Sequence, residues 1–134
     1  PLQRLTLRDL PVVADDAMGV FKNLPTLKRL YLHELGGVSD SGLRNLSAVT
    51  SLETLDIWSI PQMTDATVEV ISKLPNLTEL SIRSTAISDA SVAMIAQMPK
   101  LKRLTIKDNA SVTPAALKVL SEKKWDKLDL GNKK

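Results

Sequence analysis

With 134 residues, 43% of them apolar and 25% charged, the chain has the length and composition of one soluble globular domain, residues 1–134. No stretch approaches the roughly 20 apolar residues that a membrane-spanning helix needs, and the absence of cysteine excludes disulfides, thiolate metal sites and thiol nucleophiles. The net charge is only +3, from 18 basic and 15 acidic side chains, so its distribution matters more than its size.

The chain opens on Leu2-Gln-Arg-Leu-Thr-Leu7, and this phrase returns as Leu27-Lys-Arg-Leu-Tyr-Leu32, Leu52-Glu-Thr-Leu-Asp-Ile57, Leu77-Thr-Glu-Leu-Ser-Ile82 and Leu101-Lys-Arg-Leu-Thr-Ile106. A degraded copy, Trp125-Asp-Lys-Leu-Asp-Leu130, closes the series; successive copies start 25, 25, 25, 24 and 24 residues apart. A fixed period of this length marks a repeat array of five units and a terminal partial one. The second half of each phrase alternates apolar and polar residues, as a strand buried on one face does, which predicts five or six short strands.

After each strand comes an apolar residue and then a helix-start signal: Val38-Ser39-Asp40, Met63-Thr64-Asp65, Ile87-Ser88-Asp89 and Val112-Thr113-Pro114. Proline is at home at the first position inside a helix, so Pro114 sets the frame and Ser39, Thr64, Ser88 and Thr113 are the predicted N-caps. Asp40, Asp65 and Asp89 then fall in the first turn, facing the positive end of the helix dipole. The first unit has Val13-Ala14-Asp15 and no hydroxyl cap, so its helix is expected to start less sharply.

Helices of about nine residues follow, with buried stripes Met18, Phe21 and Leu24; Leu43, Leu46 and Val49; Val68, Ile71 and Leu74; Val92, Ile95 and Met98. Pro25, Pro75 and Pro99 end three of them. A strand and a helix of this kind cannot bury their apolar sides alone, so the units must stack, strands forming a parallel sheet and helices covering one side. Strands pack about 4.8 Å apart and helices roughly 10 Å, and this mismatch is expected to bend the stack into an arc with the sheet inside.

The pattern L-x-x-L-x-L, followed by an apolar residue, Ser or Thr, Asp and a short helix, resembles leucine-rich repeats over essentially the whole chain. Val38-Ser-Asp-Ser-Gly-Leu43 and Met63-Thr-Asp-Ala-Thr-Val68 look like the cysteine-containing subtype of F-box substrate receptors and its cysteine-poor bacterial relatives. The resemblance implies an α/β leucine-rich-repeat solenoid, a right-handed arc with a parallel sheet on the concave side and short helices on the convex side. It also implies recognition of another macromolecule, usually a protein, through the concave sheet. Two departures matter: the family's Asn or Cys position holds Leu10, Leu35, Ile60, Thr85 and only once Asn109, so apolar packing is expected to close those turns. No F-box phrase is present, and a role in ubiquitin transfer does not carry over.

With leucines inward, the intervening residues face outward in three columns. The basic members, Arg4, Arg8, Arg29, Arg83, Arg103, Lys107 and Lys127, outnumber the acidic ones, Asp56, Glu79 and Asp129, although Asp9, Glu34 and Asp108 rim the same surface. Trp58 stands in mid-sheet with Tyr31 diagonal to it and His33 and Arg83 as column neighbours, and exposed aromatics beside arginine are the composition of binding hot spots. The alternative for Trp58 is a cross-strand packing role with Arg83 over its ring. His33 is expected to be an ordinary polar surface residue, and Tyr31 and Asp56 to be within hydrogen-bonding reach of each other.

The predicted binding set is therefore Arg8, Arg29, Tyr31, His33, Asp56, Trp58, Arg83, Arg103 and Lys107, with no catalytic, metal or cofactor site. One histidine, no cysteine and no Gly-rich phosphate loop speak against an enzyme. The favoured function is a non-enzymatic binding module for a protein carrying an acidic patch. Nucleic acid or another polyanion is the rival, weakened by the fact that a stacking platform would rest on Tyr31 and Trp58 alone; a structural spacer is the third possibility. The unshielded strand Leu2, Leu5, Leu7 leads us to expect further repeats or another domain before Pro1, whereas the back of the stack, with its charged Ser121 to Lys124, is expected to be better covered. No compartment follows from the sequence.

Overall fold

The structure, a computed structural model, describes residues 2–9 and 15–131. Six strands, β1 (Arg4–Arg8), β2 (Arg29–His33), β3 (Thr54–Ile60), β4 (Glu79–Thr85), β5 (Arg103–Lys107) and β6 (Lys127–Asp129), form one parallel sheet in the order β1-β2-β3-β4-β5-β6. The sheet is open, with β1 and β6 at its edges. Helical segments alternate with the strands and carry the long crossover connections that parallel neighbours require. The fold is thus α/β and repeat-like, and among the described residues no helix is long and apolar enough to cross a membrane.

Pairing keeps one register throughout: Leu30 lies beside Leu55, Leu55 beside Leu80 and Leu80 beside Leu104, while Leu32, Ile57, Ile82 and Ile106 form a second inward row. These rows join the helix residues Met18, Phe21, Leu43, Leu46, Val68, Ile71, Val92 and Ile95 in one buried cluster. Leu24, expected in the same stripe, is only half-buried at its margin. The two edges differ less than expected. Leu2 is 47% exposed and Leu5 and Leu7 are partly buried at one end, but Trp125, Leu128 and Leu130 are also only partly buried at the other.

The helices run α1 (Asp40–Leu43), α2 (Asp65–Ile71), α3 (Asp89–Ala96) and α4 (Pro114–Ser121); the first unit instead holds a 3-10 helix, Asp15–Asn23, and α1 continues as 3-10 over Arg44–Ala48. The expected full α-helix fails in these two units because Gly19, Asn23, Gly42, Asn45 and Ser47 are weak helix formers. The Asn45 Nδ2 also donates to the Gly42 carbonyl at 2.9 Å, drawing that acceptor away from an α pattern. The predicted N-caps Ser39, Thr64, Ser88 and Thr113 each accept a backbone N–H of their own helix. Leu10, Val13, Ala14 and the final Asn132 to Lys134 lie outside the described residues.

The aspartates in the first helical turn do more than meet a dipole. Asp40 Oδ1 accepts the Thr64 backbone N–H at 2.9 Å and the Thr67 hydroxyl at 2.6 Å, and its Oδ2 accepts the Thr64 hydroxyl at 2.5 Å. Asp65 accepts from Ser88 N, Ser88 Oγ and Ser91 Oγ in the same way. Asp15 brackets Ser39, and Asp89 brackets Thr113. Each unit is therefore fastened to the next through that unit's cap, whose hydroxyl donates to the preceding aspartate while accepting from its own helix. Pro114 ends the series. At the front, Asp15 comes so close that a Cβ on residue 42 would stand 2.5 Å from Asp15 Oδ1 and 2.8 Å from Asp15 Cα, so only Gly42 fits.

Burial pushes the carboxyls of Asp15, Asp40 and Asp65 upward, but the hydrogen bonds from Ser39, from Thr64 and Thr67, and from Ser88 and Ser91 outweigh it, leaving all three below the ordinary value of 3.8. A carboxyl held low in the folded state stabilises it fully above the unfolded-state value and loses that contribution as pH falls through the lower folded-state values. The melting temperature should accordingly hold from about pH 7 to about pH 5 and fall below about pH 4. Asp40→Asn, which has already lost one such group, should fall less over that acid window. Thermal melts across the series check both, and parallel curves for the two proteins would contradict the assignment.

Candidate functional site

The sheet face turned away from the helices carries the outward residues in three columns set by the strand register. The first is Arg4, Arg29, Thr54, Glu79, Arg103 and Lys127; the second is Thr6, Tyr31, Asp56, Ser81, Thr105 and Asp129; the third is Arg8, His33, Trp58, Arg83 and Lys107. All nine residues of the predicted binding set thus share this face. The structure brings five of them together and leaves the others apart.

The five are Tyr31, His33, Asp56, Trp58 and Arg83, on β2, β3 and β4. The His33 ring meets Trp58 edge-on, with centroids 5.8 Å apart, and Tyr31 edge-on at 6.3 Å. The Arg83 guanidinium lies 5.6 Å from the Trp58 ring centroid. Trp58 is half-buried beneath these neighbours, so both the exposed-aromatic reading and the cross-strand packing reading describe part of its setting.

Asp56 stands at the middle of this group. Its Oδ1 is 3.5 Å from His33 Nε2 and 3.6 Å from Arg83 Nη2. The approach of Arg83 gives charge attraction, but both separations exceed a hydrogen bond, and His33 Nε2, Asp56 Oδ1 and Arg83 Nε are sealed from solvent with no hydrogen-bond partner. The side chains as a whole remain partly open, 16% for His33, 23% for Asp56 and 33% for Arg83. His33 is therefore not the plain surface residue expected of it. Asp56 engages His33 and Arg83 rather than Tyr31, although Tyr31 and Asp56 are register neighbours.

Elsewhere on the face, cations meet carboxylates. Arg8 is 3.9 Å from Glu34, Arg103 is 3.9 Å from Glu79, and Lys107 is 2.9 Å from Asp129. The hydrogen bonds from Lys107 and from the Gly131 backbone hold the Asp129 carboxyl below its usual value. Of these pairs only Glu79 and Arg103 are opposed in the register; Asp129 lies in the column beside that of Lys107, and Glu34 just follows β2, so column positions alone do not reveal them. Arg4, absent from the predicted set, lies 4.8 Å over the Tyr31 ring. Its place two residues before Thr6, the register neighbour of Tyr31, was the available signal.

A row of left-handed residues, Asp9, Glu34, Ser59, Ser84 and Asp108, with φ between 54 and 59°, borders the third column. It puts a kink just after each third-column side chain, and in β3 and β4 pairing resumes beyond it at Ile60 and Thr85. A groove of about 430 Å³ opens away from the aromatic group, near the β6 end, lined by Ile106, Asn109, Val112, Leu117 and Leu130 among others. The five clustered side chains thus form a surface rather than the wall of that groove.

No protein-family model and no curated protein matches this chain.

Proposed function

We propose that the chain is a leucine-rich-repeat solenoid that acts as a non-enzymatic binding module, recognising a protein partner through the open sheet face. The observation that carries this reading is the mid-sheet group of Trp58, His33, Tyr31, Arg83 and Asp56. It gathers an indole with a guanidinium over it and a tyrosine ring reached through His33, and Trp, Tyr and Arg are the residues enriched at interface hot spots. Its unpartnered polar atoms would gain hydrogen bonds if a partner's side chains displaced the weak contacts around Asp56.

Nucleic acid is the weaker reading, because a phosphate backbone crossing the face would meet Glu79, Asp56 and Asp129 in its path, and most of the cations there already sit beside a carboxylate. The test is quantitative capture from the source cells, read by mass spectrometry with wild-type and variant baits. Trp58→Ala combined with Arg83→Ala should reduce recovery of the specific protein partner by about tenfold or more, while the melting temperature moves by only a few degrees. Equal recovery by both baits would defeat the proposal, and so would binding to nucleic acid alone.

A further inference from the structure

The cations of the open face fall into two classes. Arg8, Arg83, Arg103 and Lys107 each lie within 4.0 Å of a carboxylate. Arg4 and Arg29 are directly opposed on β1 and β2, and no carboxylate of the described residues comes within that distance of either. The residues outside the described set carry no acidic side chain. Lys127, also without a bridge among the described residues, stands by itself at the opposite edge of the sheet.

Like charges directly opposed on neighbouring strands are unfavourable unless something of opposite sign lies between or above them. Both arginines are exposed. Arg4 is held over the Tyr31 ring, 4.8 Å from its centroid, a contact that fixes the guanidinium and leaves its N–H groups free for another acceptor. The same ring begins the aromatic run that continues through His33 to Trp58.

We propose that Arg4 and Arg29 form a two-pronged carboxylate site for an acidic peptide segment of the partner, with Tyr31 linking it to the aromatic group. The inference rests on the reading of this face as a recognition surface and names the chemistry that one end of it selects. The pattern favours clustered Asp or Glu over a phosphodiester chain. Two arginines opposed on neighbouring strands match two neighbouring carboxylates, each able to accept paired N–H bonds. Further along the same column the next charged residue is Glu79, which would repel a continuous phosphate backbone.

The probe is an octapeptide of glutamate, titrated into the ¹⁵N-labelled protein at about 0.15 M salt. Saturable shifts are expected at the Arg4 and Arg29 side-chain N–H signals and at Tyr31. Arg4→Gln with Arg29→Gln should weaken binding about tenfold, whereas the charge-matched pair Lys73→Gln with Lys118→Gln, off this face, should change it less than about twofold. No saturable shift, equal weakening by both pairs, or tighter binding of an eight-nucleotide oligothymidylate would overturn the site. If protein capture is lost in the Trp58 and Arg83 double variant but kept in the Arg4 and Arg29 one, the carboxylate site falls and the recognition surface stands.

Discussion

Asp65→Ala should lower stability by about 3 kcal/mol, from the loss of three hydrogen bonds to a charged acceptor, which for a chain of this size is a fall of about 10 °C in melting temperature. The carboxylate holds Ser88 N at 2.8 Å and Ser88 Oγ at 2.5 Å, and also accepts from Ser91 Oγ. Ser91 is fully buried, so the deletion strands a hydroxyl that has no route to solvent. The effect should follow the number of bonds lost. Asp40→Ala, with three, should match Asp65→Ala, while Asp15→Ala and Asp89→Ala, with two each, should cost less. The exposed neighbour Asp16 supplies the control. If Asp16→Ala proved as damaging as Asp65→Ala in urea melts, the fastening role would be wrong and only general charge effects would remain.

Asn109→Ala should be comparably damaging, at about 3 kcal/mol, because it orphans buried groups on both sides. Asn109 is 6% exposed. Its Oδ1 accepts the Thr85 backbone N–H at 2.9 Å and the Thr85 hydroxyl at 2.7 Å, and its Nδ2 donates to the carbonyls of Ile82 and Lys107 at 3.0 and 2.9 Å. The equivalent positions two and three units earlier are the fully buried Ile60 and Leu35, so the same turn can also be closed by hydrocarbon. Thr85→Val with Asn109→Leu removes both polar side chains together and should recover about half of the loss, since deleting a pair is milder than stranding one member. Denaturant midpoints with unchanged slopes would measure this. A double variant no better than Asn109→Ala would mean that the turns require the amide itself.

Strands, register and caps were legible because each depends on a local pattern. The recurring Leu-x-x-Leu-x-Leu phrase placed Leu55, Leu80 and Leu104 side by side, and the Ser or Thr before Asp, or before Pro114 in the last case, placed the helix caps at 39, 64, 88 and 113. Contacts between units were harder to see. Asp40 and Asp65 satisfied a sufficient local explanation at their own helix ends, which hid their reach to Thr64 and Ser88; the shared spacing of aspartate and next hydroxyl was the clue. Asn109 looked like a lone survivor of a missing ladder. Its neighbour Thr85 was the sign that one polar rung had been kept.

That the candidate residues share one face was legible, but not the electrostatics of that face. Trp58 beside Arg83 followed from the register, and the structure places them so. What alternation along a strand cannot convey is which way a long side chain leans once outside. Arg83 leans toward Asp56, Arg103 toward Glu79 and Lys107 toward Asp129, so the cations of the face left without a bridge among the described residues are Arg4 and Arg29, with Lys127 alone at the far edge. The 3-10 geometry of the first two units was equally hidden, because apolar spacing alone does not separate a tight turn from an α-turn in a segment containing Gly42 and Asn45.

The unbroken register across all five strand junctions makes the open face a ruler. Each added strand lengthens it by about 4.8 Å, so six strands span about 24 Å. Extended polypeptide advances about 3.3 Å per residue, and a segment laid across the strands would take about seven residues to pass from one edge to the other. A partner segment of half that length would meet either the arginine pair or the far edge of the sheet, but never both.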